Sequence, residues 1–501
     1  SVINLQVSTV GSPMRSRTCI DILAQVCLGS ARLRACVLLM LALPLSSCVW
    51  FSPDSGMKAV SDIAAQDIGK DAAAIRNPDQ AYEAHTVVAR LLGRPLTANA
   101  AVQIALLNNR GLQASFNELA IAEAQRVGAS LPPSPTFSLF RVSGSVETEI
   151  ERQLVIDIVA LAALPAASEI ATTRFHQAQL RAAEDTLRIA AQTRRGYYRA
   201  VAAREFVDYL MQTQAAAETS AKFAHGLGES GAMNKLDQAR EQAFYAEVTA
   251  QFATAREVAA GEREALVRLM GLWGDDLRFK LPTSLPPLPA HVKNLAGIEL
   301  EAVGRRVDLQ ISRLETEALA RSYGLTKATR FISIFDAGPA DKTIIDKQLG
   351  QTLREPGFAL QLQVPLFDFG EVRLREAEAN YMRSVNRLLD RAVTVRSEAR
   401  DAYRTYRSSY DIAMHYRREV LPLRKIISDE TLLRYNAMLI DVFALLVEAR
   451  QRININLAAI DAQRAFWLAT VDLNTAVMGG GGVGAKRDEP RATLDAPAGD
   501  Q

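Results

Sequence analysis

Cysteine and aromatic residues are scarce in this sequence, and both absences exclude classes of protein. The four cysteines are Cys19, Cys27, Cys36 and Cys48, and none follows position 48. Disulfide frameworks and thiolate metal sites are therefore excluded from the rest of the chain. Aromatic residues make up only 6% of a sequence in which 49% of residues are hydrophobic and 23% are charged. This composition, rich in Ala, Leu, Arg, Glu and Gln, is typical of long helices that pack through small side chains.

An excess of charge of either sign is also missing. The chain has 58 basic and 56 acidic residues, and positions 1–47 hold four arginines and one aspartate, so the remainder carries 54 basic and 55 acidic residues. This balance gives no electrostatic basis for binding nucleic acid. The five histidines are scattered without a helical i, i+4 pair, and no G-x-S-x-G motif occurs. The sequence therefore predicts no metal site, no cofactor and no enzymatic activity.

Long apolar runs are confined to the N-terminal region. Arg32 and Arg34 precede an apolar run at 35–43, which is followed by Leu45-Ser-Ser-Cys48. A basic flank, a run too short to span a bilayer and small residues before a cysteine predict a lipoprotein signal peptide over 1–47 and a covalent lipid on Cys48. No later stretch has about 20 uninterrupted apolar residues, so we expect any later membrane crossing to use β-strands.

Helix and turn signals divide the chain into a repeated pattern. A helix, two strands and two long helices are predicted over 97–281, and the same order returns over 297–479. Aligning 224–240 with 434–450, an offset of 210 residues, brings the helix-to-helix breaks and the endings Gln-Ala-Arg and Glu-Ala-Arg into register. An internal duplication is the simplest account. The remaining parts are a loose lipidated segment at 48–96, a Pro-rich linker at 282–296 and a disordered Gly-rich tail at 480–501.

Four strands are predicted, at 136–145, 149–158, 330–337 and 358–364, with a polar loop at 338–356. The last strand alternates apolar with polar residues, the two sets being Phe358, Leu360, Leu362 and Val364, and Gln361 and Gln363. We expect the apolar set to face lipid and the glutamines to face a wet lumen, as in a transmembrane barrel. A strand of a soluble sheet with one exposed face gives the same alternation. Because the smallest bacterial barrels use about eight strands, several chains would have to share one.

The helix predicted over 371–434 has a sustained seam of residues spaced by threes and fours. Its members are Leu374, Ala377, Tyr381, Val385, Leu388, Ala392, Val395, Ala399, Ala402 and Tyr406. Such spacing is typical of a helix supercoiled against its neighbours. At 1.5 Å per residue this helix would reach roughly 95 Å, which suits a rod that spans the periplasm better than a compact domain.

Several of these segments together resemble the TolC-type outer-membrane efflux proteins. The segments are Leu45-Ser-Ser-Cys48, the joint Val364-Pro-Leu-Phe-Asp-Phe-Gly370, Arg195-Gly-Tyr-Tyr198, Arg434-Tyr-Asn-Ala-Met-Leu-Ile-Asp-Val-Phe443, Glu448-Ala-Arg450 and the final helix from Phe466 to Gly479. The resemblance implies a mainly α fold with membrane β, in which a homotrimer builds a long coiled-coil tunnel and a shared twelve-stranded barrel from four strands per chain. It also implies an outer-membrane location, contact with outer-membrane lipid, and docking of a periplasmic adaptor and an inner-membrane pump.

The resemblance places a constricted aperture at the turns between the long helices. Tyr435 matches a tyrosine of the family's tip, Met438 stands where the family has glycine, and the family's gating arginine and paired aspartates have no clean equivalents. The candidates for closing the aperture through hydrogen bonds or ion pairs are Tyr435, Asp441, Glu448, Lys235, Asp237 and Arg240. Each charged candidate can equally be a solvated charge at a helix end.

The sequence thus predicts a passive, gated duct that exports small solutes such as drugs, metals or organic molecules. One alternative is a periplasmic coiled-coil adaptor lipoprotein, which would share the lipobox and the heptads but would need no lipid-facing strands. The other is a soluble periplasmic enzyme, which would require a convergent polar site.

Overall fold

The computed structural model describes residues 50–292, 294, 297–332 and 334–481. The predicted signal peptide at 1–47, the anchor Cys48 and nearly all of the predicted tail at 480–501 lie outside the described residues. Two helices, α1 (Met57–Ile68) and α2 (Pro78–Leu92), occupy the segment expected to be loose. This expectation was wrong because apolar residues of both helices, such as Val60 and Val88, are buried in hydrophobic clusters with later helices.

The helix predicted after Thr97 is divided into α3 (Ala98–Asn108) and α4 (Arg110–Ser130). Thr97 caps α3 by accepting the Ala100 N–H at 3.1 Å. Asn109 caps α4 by accepting the Leu112 N–H at 3.0 Å, and its amide donates to the Leu269 carbonyl at 2.9 Å. A side chain that satisfies the free N–H groups of a new helix favours a break at that point.

Two long helices follow the first strand pair: α5 (Ile158–Glu229) and α6 (Lys235–Met270). With 72 residues, α5 is roughly 108 Å long at 1.5 Å per residue. Pro165 lies inside α5, in the third turn. Proline removes one backbone hydrogen bond of the ladder, and so long a helix retains the rest.

The second half of the chain contains five further helices. These are α7 (Ile298–Arg305), α8 (Val307–Ala328), α9 (Glu371–His415), α10 (Leu421–Asn436) and α11 (Val442–Met478). A π-helical turn at Tyr416–Val420 joins α9 to α10 without a break, so the long helix predicted over 371–434 is confirmed. Every residue of its predicted seam is buried or half-buried, from Leu374 to Tyr406.

Four strands form one antiparallel sheet in the order β1-β2-β3-β4. They are β1 (Thr136–Ser143), β2 (Glu147–Asp157), β3 (Ile334–Asp346) and β4 (Thr352–Gln363). The prediction of a polar loop over 338–356 was wrong. Most of this range belongs to β3 and β4, and the turn between them is confined to 347–351. Polar residues there remain extended because each strand pairs with a neighbour along its length.

The core lies between the long helices and is built largely from small side chains. Ala200, Val201 and Ala202 of α5 are buried against Leu266 and Met270 of α6. Gly196 allows this approach, since a Cβ there would lie 2.9 Å from the Leu269 side chain. Small residues let two helix backbones come close along their whole length, which explains the low aromatic content.

Candidate functional site

The two faces of the sheet differ in chemistry. Directly opposed residues of antiparallel strands share a face, so the pairs Leu362–Phe335, Leu360–Ala337 and Phe358–Pro339 lie on one side. We call this side the apolar face; Leu154 and Phe137 belong to it as well. The polar face carries Gln361 and Gln363, which oppose Asp336 and Ile334. The predicted separation of Phe358, Leu360 and Leu362 from Gln361 and Gln363 is therefore present in the strand register.

Large apolar side chains on the apolar face are exposed. Phe358 is 69% exposed, and Leu360 and Leu362 are more than half exposed. Val364, assigned to the same strand by the sequence, lies one residue beyond β4 and is also exposed. A contiguous exposed apolar patch on a folded protein marks a surface that meets a partner or a membrane.

The polar face carries a cluster of carboxylates, and Phe140, Val142 and Leu353 are also exposed on it. Glu149, Glu151 and Glu355 lie there around one lysine, Lys342, whose ammonium is 2.9 Å from the Glu149 carboxylate and 3.9 Å from that of Glu151. Gln361 and Gln363 are exposed on this face. The charged residues of this face therefore give it a net negative charge.

The apolar surface continues from the sheet into the helices beside it. A cleft of about 480 Å³ is lined by the start of α5, including Ile158 and Val159, and by the end of α8 with Phe331 and Ile332. By length and composition alone, α5 contains a stretch apolar enough to cross a membrane, and most of that stretch is not buried. It is not an uninterrupted apolar run, so it does not contradict the prediction made from the sequence.

The joint between β4 and α9 is held by a close backbone approach at Gly370 and by the side chains of Arg330 and Asp368. Gly370 adopts φ 73°, and a Cβ there would lie 2.3 Å from the Arg330 carbonyl oxygen. Arg330 donates to the Phe369 carbonyl at 2.8 Å and pairs with Glu371 at 2.8 Å. Asp368 accepts the N–H of Gly370 at 3.1 Å. The joint thus fixes the direction in which the long helix leaves the sheet, and it needs glycine at 370.

The helix tips are two tight turns, at 230–234 and 437–441. Asp441, a predicted gate residue, caps α11 by accepting the Ala444 N–H at 2.9 Å. Asn234 does the same for α6 through the Asp237 N–H at 2.8 Å. Met438 has φ 57°, in the left-handed region that favours glycine. Tyr435 is half-buried in the last turn of α10.

The other predicted gate residues have different surroundings. Lys235 is exposed at the first position of α6. Asp237 accepts from Arg240 at 3.1 Å within the same helix. Glu448 is buried and pairs with Arg424 at 2.8 Å, which links α10 to α11. The helices α5 and α6 form one hairpin, and α10 and α11 form another. Of the predicted gate residues, only Arg240 contacts the other hairpin, since its guanidinium lies 4.8 Å from the centre of the Phe443 ring.

A second link between the hairpins was not predicted. Arg450 of α11 pairs with Glu247 of α6 at 3.1 Å and lies 5.7 Å from the centre of the Phe244 ring. Arg240 and Arg450 are the two arginines that the offset of 210 residues brings into register. That alignment was the signal that could have identified Arg450 as the counterpart of Arg240.

Segments that carry the family resemblance meet between α5 and α11. Arg195 pairs with Asp472 at 2.6 Å, and the Tyr198 ring stacks on Trp467 with centroids 5.3 Å apart. Tyr197 donates to the Leu96 carbonyl at 3.1 Å. Burial raises the pKa of Tyr197 to about 12. The Arg195–Asp472 and Tyr198–Trp467 contacts join residues about 270 positions apart in sequence.

A buried charge network lies where α8 and α9 meet. Arg306 has no exposed side-chain surface, donates from Nε to both oxygens of Asp308 at 3.0 and 3.1 Å, and pairs with Glu398. Arg391 also pairs with Asp308. Burial and the nearby Asp308 carboxylate raise the pKa of Glu184 on α5. The charges of this network lie on or next to the helices α5, α8 and α9.

In the part of the chain that the structure describes, no group of three or more His, Cys, Asp or Glu residues is arranged to hold a metal ion.

A cleft of about 870 Å³ lies beside the π-helical turn and is lined by Tyr416 and Arg417 together with residues of α5 and α11. The candidate functional residues therefore lie on the two faces of the sheet and at the helix tips.

The fold is shared with solved outer-membrane channels. The CmeC outer membrane channel of Campylobacter jejuni has a TM-score of 0.63 at 17% identity, over 76% of this chain and 86% of that chain. The outer-membrane channel OprN has a TM-score of 0.62 at 16% identity, over 84% and 96%. CusC, described for its transmembrane channel formation, has a TM-score of 0.63 at 18% identity, over 76% and 92%. No protein-family model and no curated protein matches this chain. The resemblance to TolC-type outer-membrane efflux proteins is thus confirmed at the level of the fold.

Proposed function

We propose that this chain, which has the fold of solved outer-membrane channels, is the outer-membrane component of a tripartite efflux system for small solutes. Three copies would each supply four strands to a twelve-stranded barrel, and their helices would form a tunnel into the periplasm. The halves 97–281 and 297–479 would derive from one duplicated unit. Cys48 would carry a lipid in the outer membrane. An inner-membrane pump, joined through a periplasmic adaptor, would supply the energy.

The observation that carries this proposal is a sheet with exposed side chains on both faces and two edge strands. β1 and β4 end the sheet on either side, and the apolar face exposes large side chains such as Phe358. In water such edges and such a face promote aggregation. Closure with further copies would pair the edges, and lipid would cover the apolar face. A periplasmic adaptor without a pore has no need of this surface.

Conductance and stoichiometry test the proposal. Detergent-purified protein should have the mass of three chains by light scattering, and it should migrate differently on a denaturing gel before and after boiling. In planar bilayers it should open ion-conducting steps of uniform size. A monodisperse single chain that passes no ions would refute the proposal.

The closed tip would be held by the contacts of Arg240 and Arg450, because these two side chains join the hairpins at the aperture end. Partner docking would favour the open state through its higher affinity for that state. The cleft beside the π-helical turn at Tyr416–Val420 leaves space for α10 to tilt, and such turns often lie at functional positions. Tyr435 and Asp441 stay predicted members of the gate.

The gate is tested by removing these links. Arg240→Ala with Arg450→Ala should raise single-channel conductance, because both arginine contacts between α6 and α11 are lost. The matched control is Arg452→Ala, since Arg452 lies on α11 but bonds Ser428 of α10 within its own hairpin, at 3.2 Å. Equal conductance of the double variant and the unaltered protein would remove both arginines from the gate.

A further inference from the structure

We propose that the apolar face binds the phosphate groups of an anionic outer-leaflet lipid through Arg141, Arg152 and Arg354. The inference rests on the proposed function, because it requires this face to meet lipid. Its ligand class is a phosphorylated lipid headgroup whose acyl chains cover the neighbouring apolar side chains.

The strand register places the three arginines together on the apolar face. Arg141 of β1 and Arg354 of β4 belong to one row across the sheet, with Ile150 and Thr343 between them. Arg152 lies in the adjoining row of that face, opposite Asp341. The row is about 14 Å wide, since neighbouring strands lie about 4.8 Å apart. This width is comparable to that of a large lipid headgroup.

The carboxylate of Asp341 pairs with two of the three arginines, so the cluster keeps a net positive charge. Asp341 Oδ2 is 2.9 Å from Arg152 Nη1 and 3.3 Å from Arg354 Nη2. The Arg354 side chain is still 72% exposed. Among the described residues, no ion pair involves Arg141, which is exposed. Three guanidinium groups against one carboxylate leave a net positive cluster whose free N–H groups can bind phosphate oxygens in a bidentate manner.

At the same position along the strands, the two faces of the sheet carry opposite charge: positive on the apolar face and negative on the polar face. On the polar face, the rows next to these arginines hold Glu149, Glu151 and Glu355 against the single Lys342. A general excess of basic residues would place arginine on both faces. The cluster is therefore specific to the side that the proposed function turns towards lipid.

The cluster also lies at one border of the exposed apolar side chains. Arg354 and Leu362 are eight residues apart on β4, which is about 27 Å along the strand and about 20 Å along the membrane normal for a strand tilted by roughly 40°. The helices leave the sheet at the Leu362 end, because α9 follows β4. The arginines would thus lie at the outer surface, where a headgroup meets hydrocarbon. Phe358 and Leu139, on the same face, would contact its acyl chains.

Lipid retention by the assembled channel tests this inference. The protein, reconstituted in nanodiscs, is titrated with bisphosphorylated lipid A, and bound lipid is measured by native mass spectrometry. Arg141→Gln with Arg354→Gln should weaken binding about 30-fold, from about 1 kcal/mol per arginine near a charged lipid surface. The variant keeps the Arg152–Asp341 pair. Its conductance should equal that of the unaltered protein, because both residues face away from the pore.

The control is Lys342→Gln, which removes a positive charge at the same height from the polar face and should leave lipid binding unchanged. Equal binding of phosphorylated and dephosphorylated lipid A, or equal binding by the arginine double variant, would overturn the inference. Displacement of the lipid by inorganic phosphate alone would identify the site as one for free phosphate and overturn the lipid assignment. Unaltered protein that forms no conducting pore would instead refute the proposed function, so the two failures are distinguishable.

Discussion

Arg306 offers the sharpest test of how the long helices are held together. Its side chain is fully buried and contacts two carboxylates, Asp308 and Glu398, with a further hydrogen bond to the Ala476 carbonyl at 3.4 Å. Arg306→Met retains the length and apolar volume of the side chain but removes its charge. Asp308 keeps Arg391 as a partner, whereas Glu398 loses the guanidinium with which it pairs.

The expected cost follows from that uncompensated carboxylate. Breaking a buried ion pair by removing one partner costs about 3–5 kcal/mol. We expect about 3 kcal/mol, because the Glu398 side chain is 15% exposed and Arg391 remains nearby. Adding Glu398→Gln to Arg306→Met should recover a large part of this loss, since it removes the unpaired charge.

Hydrogen exchange measures this cost at the site itself. Unfolding of a trimeric membrane protein is often irreversible, so exchange of the α8 and α9 amides in detergent is preferable to a thermal midpoint. A loss of 3 kcal/mol corresponds to exchange about 150-fold faster. Exchange within about twofold of the unaltered protein would refute the reasoning, and so would a double variant that exchanges faster than Arg306→Met alone.

Three further predictions concern charge and anchoring. Because burial and a neighbouring carboxylate raise the pKa of Glu184 above its ordinary 4.5, the ionised form costs stability at neutral pH. Hydrogen exchange of the α5 amides should therefore be slower in Glu184→Gln than in the unaltered protein at neutral pH, and this difference should vanish below pH 4.5. Faster exchange at neutral pH would contradict the sign. Glu149→Gln with Glu151→Gln should reduce the preference of the pore for potassium over chloride, read from the reversal potential in a salt gradient, and an unchanged potential would place these carboxylates outside the pore. Cys48→Ala should abolish palmitate labelling and release the protein from lipid attachment, and continued labelling would move the anchor elsewhere.

The sequence by itself determined the local periodicities of this protein. The seam that includes Val395, Ala399 and Tyr406 is buried as its spacing predicts, because spacing by threes and fours aligns residues on one side of any α-helix. The alternation around Phe358 and Gln361 likewise fixed the two faces of β4 before any partner strand was known. Periodicity is a property of the backbone of each element, so it can be read without knowing what the element packs against.

Only the tertiary structure decided which distant groups meet. The stretch at 338–356 looks like a polar loop, and pairing with β2 along β3 makes most of it strand. The partners Arg306 and Glu398, and Arg450 and Glu247, are each separated by many turns of helix or by another element, so nothing local indicates that they pair. Asp441 gained a role that its charge did not indicate, since its position at the start of α11 makes it a helix cap, and it stays a predicted gate residue. Long-range contacts depend on how whole helices and strands are placed, and that placement is a property of the fold rather than of any one segment.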